Sequence, residues 1–102
     1  MSNDNPRQTK EFPLPDGTKL VRWVMAKETI DLPAEELNRN VFRVDAEGQV
    51  IWRIAYHVAR HKADPFIGFQ IIDGRLLGYT WDGWEFEINL DDGTLREIGW
   101  SK

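Results

Sequence analysis

The chain of 102 residues contains no cysteine. A disulfide framework, a thiolate nucleophile and every cysteine-ligated zinc site are thereby excluded together. Serine is almost as scarce: its two copies, Ser2 and Ser101, stand at the two ends, so a Ser-His-Asp triad has no nucleophile. No stretch approaches the ~20 apolar residues of a membrane span. Met1 to Pro15 lack the apolar core of a secretory signal. Neither G-x-x-x-x-G-K nor G-x-G-x-x-G occurs, so no phosphate-cradling loop is encoded. Basic residues are outnumbered, 13 against 17 acidic for a net charge of −4, which argues against nucleic acid as a partner, since a basic face supplies most of that affinity. These absences imply a cytoplasmic, non-enzymatic protein without cofactor or metal.

What the chain does have is alternation and tight turns. Residues 1–11 are polar and proline-interrupted and read as a flexible leader; residues 12–102 suffice for one small domain. Val21, Trp23 and Met25 share one face of a first long strand, with Arg22 on the other. Pro33 to Asn38 suit a short helical insertion, with Pro33 at an early helical position and acids near the positive helix end. A hairpin follows, in which Phe42 and Val44 face Trp52 and Ile54 across Ala46-Glu47-Gly48. Between Phe66 and Trp100, Asp73-Gly74, Asp82-Gly83 and Asp91-Asp92-Gly93 join four more strands. An Asp-Gly pair supplies the two positive φ angles of a type I′ hairpin. The pattern predicts an all-β domain with minor helix: an antiparallel meander of about seven or eight short strands in two hairpin groups. The expected core includes Val21, Trp23, Phe42, Val44, Trp52, Ile54, Ile67, Phe69, Ile71, Tyr79, Phe86, Ile88 and Ile98. Leu95 is out of phase with Ile98 and Trp100, which predicts a bulge in the last strand or a place for Leu95 in the turn.

Phe42 to Val50 echo Phe86 to Leu95 with one residue inserted before the glycine, a spacing of 86 − 42 = 44 residues between the phenylalanines. The phrases NVFRVDAEGQVIWRI and WEFEINLDDGTLREIGW resemble the third and fourth strands of blades in quinoprotein-type β-propellers, with their aromatic-x-aliphatic-Asp-x-x-x-Gly-x-aliphatic-x-Trp pattern. The second copy has Glu97 near the place of Trp52, and a closed propeller takes ~4 to 8 blades, so the resemblance implies a shared hairpin design and no cofactor.

Two clusters bear on chemistry. His57 and His61 lie four apart with Asp64 nearby, a spacing that suits a metal on a helix, but Arg60 and Lys62 interrupt it and no third firm ligand is evident. A solvated basic loop is the plainer reading. Glu85 and Glu87 share a strand face opposite Trp84, Phe86 and Ile88, as solvated residues of an amphipathic sheet do.

The acidic stretch of residues 82–97, carrying Asp82, Glu85, Glu87, Asp91, Asp92 and Glu97 against Arg96, lies beside several aromatics. That combination favours a protein-interaction module docking on a basic partner through Tyr79, Trp81, Asp82, Trp84, Glu85 and Glu87. Small bacterial inhibitor or immunity proteins of toxic enzymes have a similar character. The alternative is a carbohydrate- or small-ligand-binding domain that stacks its ligand on Trp81, Trp84 and Tyr79. Open sheet edges also admit a homodimer.

Overall fold

The computed structural model describes residues 9–24, 33–57 and 64–100. Among them the chain forms two four-stranded antiparallel meanders, each with its strands in sequence order. The first holds β1 (Thr9–Pro13), β2 (Lys19–Trp23), β3 (Val41–Val44) and β4 (Val50–Arg53). The second holds β5 (Phe66–Ile72), β6 (Arg75–Thr80), β7 (Trp84–Ile88) and β8 (Leu95–Trp100). A one-turn helix, α1 (Ala34–Leu37), precedes β3, where the amides of Glu36 and Leu37 both donate to the Pro33 carbonyl. The fold is thus all-β with a minor helix, in the two hairpin groups that the alternation predicts.

The turns are less uniform than their sequences. Asp73 and Gly74 take φ of 52° and 77°, the positive pair of a two-residue hairpin. At Asp82-Gly83 only the glycine is left-handed. Trp81 joins that loop, and the Gly83 amide donates to the Thr80 carbonyl at 3.0 Å, so a β-turn ends in a left-handed glycine. Asp91-Asp92-Gly93 is longer still: the Gly93 amide reaches the Asn89 carbonyl at 2.8 Å. Type I′ geometry therefore holds at the first of the three turns and fails at the other two, because neighbouring residues enlarge the loop.

Each sheet turns one face to the shared core. Leu20, Val41, Trp52 and Ile54 meet Phe66, Leu76, Phe86 and Ile88, all buried. Val21, Trp23 and Phe42, expected inside, lie on the outer face of the first sheet, since their chain neighbours Leu20 and Val41 are fully buried. Both phases of β2 and β3 carry apolar residues, so alternation alone leaves the inner face open. Trp23 and Phe42 form a second layer instead, 5.2 Å apart, with the Arg53 guanidinium 5.1 and 5.2 Å from their rings. Ile67 is 44% exposed where the β5–β6 register shifts between Phe66 and Gly68, and Ile98 is 37% exposed. The β7–β8 register also slips, so β8 carries an extra residue and Leu95 still pairs with Ile88.

Regular structure begins earlier than the polar composition predicts. Lys10 and Glu11, assigned to the leader, pair with Arg22 and Val21 in β1. Strand β1 is an edge strand, where charged residues are at home, and Glu11 bonds Lys19 at 2.9 Å while Phe12 packs 5.7 Å from Phe69. Met25, Arg60, His61 and Lys62 lie outside the described residues.

The β3–β4 and β7–β8 hairpins, which carry the echoed phrases, are the third and fourth strands of their own sheets. Where the two meet, Trp52 Nε1 donates to the Leu90 carbonyl at 2.7 Å, Arg43 Nη1 donates to the same oxygen at 2.7 Å, and the Ala55 amide reaches the Gly93 carbonyl at 3.0 Å. Gly93 has φ of 76°, and a Cβ there would stand 2.6 Å from the Trp52 ring. Gly93→Ala combines left-handed strain with overpacking and is expected to destabilise by roughly 3 kcal/mol. Gly48→Ala, at φ of 84° but with nothing within 4 Å, is expected to cost about 1 kcal/mol. Urea unfolding checks the difference; equal losses would mean that the Trp52 contact adds nothing.

Candidate functional site

The β6–β7 turn brings an indole to the surface on a well-fastened backbone. The Trp81 amide donates to the Pro65 carbonyl at 3.0 Å, the Asp82 amide to Asp64 Oδ1 at 2.6 Å and the Trp84 amide to Thr80 Oγ1 at 3.0 Å. Trp81 is 68% exposed. Across the sheet end, Trp100 is 54% exposed, and its Nε1 donates to the Asp82 carbonyl at 2.8 Å. Trp84, half-buried, pairs with Trp100 in register, their rings 6.0 Å apart and tilted by 41°. Three of the five tryptophans therefore gather around Asp82 at one end of the second sheet.

The six expected site residues separate into two groups. Trp81, Asp82 and Trp84 belong to this end. Tyr79, Glu85 and Glu87 lie on the sheet's outer face, since Tyr79 pairs with Glu85 and Leu77 with Glu87, while Trp84 and Phe86 take the alternate positions. A flat platform of Tyr79, Trp81 and Trp84 is not assembled. Tyr79 donates its hydroxyl to Gln70 Oε1; burial, with the nearby Glu85 charge, raises its pKa.

Glu87 is not a free acid. Arg75 Nη2 binds it at 2.9 Å and Arg75 Nε at 3.1 Å, and Arg96 approaches the same carboxylate from the opposite strand. Hydrogen bonds from these two guanidinium groups lower its pKa to about 2. Trp100 and Arg75 were outside the sequence-based site; the β7–β8 pairing and a contact between residues twelve apart bring them in.

The structure also joins two of the residues weighed as a metal site, His57 and Asp64, and buries them where a solvated loop was the plainer reading. His57 is buried between Phe66 and Phe86, ring centroids 5.4 and 5.0 Å away, with Nε2 3.6 Å from Asp64 Oδ2. Neither imidazole nitrogen has a hydrogen-bond partner among the described residues, nor has Asp64 Oδ2. Among the described residues no three His, Asp or Glu side chains stand where they could share a metal ion, and no helix is long and apolar enough to cross a membrane.

The architecture defines a small antiparallel β domain that presents a tryptophan-rich sheet end. Residues 17–100 match the family described as Domain of unknown function (DUF7957), and the chain belongs to that family. No curated protein and no solved structure matches it.

Two titrations follow from these contacts. The Glu87 carboxyl is expected to lose its charge only near pH 2 in a carbon-detected NMR titration, and Arg75→Gln to move that midpoint upward toward 4.5. Burial lowers the His57 pKa from its ordinary 6.5, with Asp64, the charged group facing it among the described residues, pulling the other way. The unfolded chain then binds more protons than the folded one below that value. Stability is complete above pH 6.5 and is lost as pH falls through the lower folded pKa. The urea midpoint is expected to drop as pH is lowered below about 6.5, and to drop less in His57→Leu. An undiminished drop in the variant would assign it to other groups.

Proposed function

We propose that this domain is a non-catalytic protein-interaction module that docks a basic segment of a cytoplasmic partner on the tryptophan-rich end of its second sheet. One observation carries this reading: Trp81 and Trp100 are both largely exposed on either side of Asp82, the first on backbone held to the interior and the second bonded through its indole to the Asp82 carbonyl. Large indoles in water are unfavourable unless something covers them, and interface anchors are enriched in tryptophan. An indole face attracts a guanidinium or ammonium group, and Asp82 and Glu85 add negative charge nearby. The acid contribution differs from the one the formal charges suggest, because Glu87 is already matched by Arg75 and Arg96. An inhibitor or immunity role fits such a module. Stacking of a sugar on the same indoles is the second reading, favoured by the same exposure.

Tryptophan fluorescence with an arginine-rich peptide separates them. Saturable binding, weakened by salt and by at least about tenfold in Trp81→Ala, is expected; Glu85→Lys should weaken it less. A response to neutral sugars with none to the peptide would replace the reading with the carbohydrate one. Dimerisation abolished by Trp81→Ala in ultracentrifugation would make a second copy the partner.

A further inference from the structure

The first sheet carries three arginines whose surroundings are described and differ sharply. Arg43 bonds Asp16 at 2.6 Å, Thr18 Oγ1 at 3.1 Å and the Leu90 carbonyl at 2.7 Å. Arg53 bonds Glu36 at 2.9 Å and the Arg39 carbonyl at 2.8 Å. Arg22 has no hydrogen bond or ion pair among the described residues, although it is half-buried and burial lowers its pKa. Directly opposite it in the β1–β2 register stands another cation, Lys10, which has no acidic partner among the described residues. Like charges facing each other across a strand pair are destabilising, and a desolvated guanidinium without a partner is costly.

Both cations line one small groove. It holds about 150 Å³ between β1 and β5, one edge strand of each sheet, and its other walls among the described residues are Glu11, Phe12, Gly68 and Phe69. Phe12 and Phe69 stand 5.7 Å apart, and a Cβ built on Gly68 would meet nothing within 4 Å, so the floor is open. Glu11 cannot neutralise Arg22, since its carboxylate holds Lys19 at 2.9 Å.

We propose that this groove is a binding site for a small carboxylate carried on a flat apolar body. The guanidinium fork matches a carboxylate edge in two parallel bonds, Lys10 adds charge at the mouth, and the two phenyl rings flank the apolar part. A carboxylate on a flat body suits the site better than a phosphate, which brings no apolar surface to the two rings. The site is separate from the tryptophan-rich end and does not depend on its role.

The probe is benzoate, titrated into the nitrogen-15-labelled full chain, with benzamide as the uncharged match and inorganic phosphate as the multiply charged one. Benzoate should shift the amides of Phe12, Arg22, Gly68 and Phe69 saturably. Arg22→Gln should weaken it by about tenfold or more, and the exposed Lys10→Gln by a few-fold. Arg22→Lys, which keeps the charge and loses the fork, should fall between wild type and Arg22→Gln; it and Lys10→Gln decide the matter if Arg22→Gln does not fold. Equal binding of benzamide would overturn the role of charge, and tighter binding of phosphate would overturn the ligand class. No shift at these amides, or binding unchanged in the Arg22 and Lys10 variants, would overturn the site.

Discussion

The fold depends on two buried asparagines that hold the second sheet to the first by its backbone. Asn40 Nδ2 donates to the carbonyls of Trp23 and Phe66, both at 3.0 Å, and its Oδ1 accepts from the Phe66 amide at 3.0 Å. Two residues earlier, Asn38 Oδ1 accepts from the Asp64 amide at 2.6 Å, and its Nδ2 donates to the His57 carbonyl at 3.2 Å. Both side chains are fully buried. Phe66 opens β5, so this amide pair sets where the second meander starts against the first. An apolar side chain at residue 40 would remove this partner from two buried backbone groups of Phe66, each worth about 1 to 3 kcal/mol when left unpaired, and from the part-buried Trp23 carbonyl. Hydrophobic contact between the two inner faces could tolerate sliding; these directional bonds cannot.

The same seam determines how the surface is presented. The Asp64 amide donates to Asn38 Oδ1 in the seam and Asp64 Oδ1 accepts from the Asp82 amide, while the adjoining Pro65 carbonyl accepts from the Trp81 amide. Trp81 thus stands on backbone anchored to the interior through two neighbouring residues. An aromatic anchor held this way loses less conformational freedom on binding, which is the advantage of preorganisation. The unsatisfied imidazole of His57 sits beside this connection. Asp64 therefore faces both the buried histidine and the exposed turn, and a proton added to His57 acts on a carboxylate that also positions Trp81.

Much of the architecture was legible because hairpins are local. The acidic-glycine turns, the alternation of Trp84, Phe86 and Ile88, and the helical turn after Pro33 each show in fewer than ten residues. The inner phase of β2 and β3 was not, since Leu20 and Val21, like Val41 and Phe42, satisfy either face until the partner strands are fixed. Asn38 and Asn40 resemble turn residues in the sequence, and nothing local marks an amide that bonds twenty-six residues away. The approach of Gly93 to Trp52 is equally non-local. The aromatic half of the candidate site was visible as Trp81 and Trp84, yet Trp100 joins only through the bulged β7–β8 register.

Charge shows the same limit in sharper form. Along the sequence, Glu87 is one of a run of acids and Arg22 one basic residue in a strand, so a net charge of −4 directs attention to the acids. In three dimensions Glu87 lies between two guanidinium groups, while Arg22 lies opposite a lysine and meets no carboxylate among the described residues. What a partner senses is the charge left after internal pairing, because a matched pair presents a weak, short-range field and an unmatched, partly desolvated ion a strong one. By that measure Glu87 leaves no free negative charge on the outer face of the second sheet, and the cleft between β1 and β5 is positive. An acidic protein can in this way keep, among its described residues, an unmatched cation that calls for an anion.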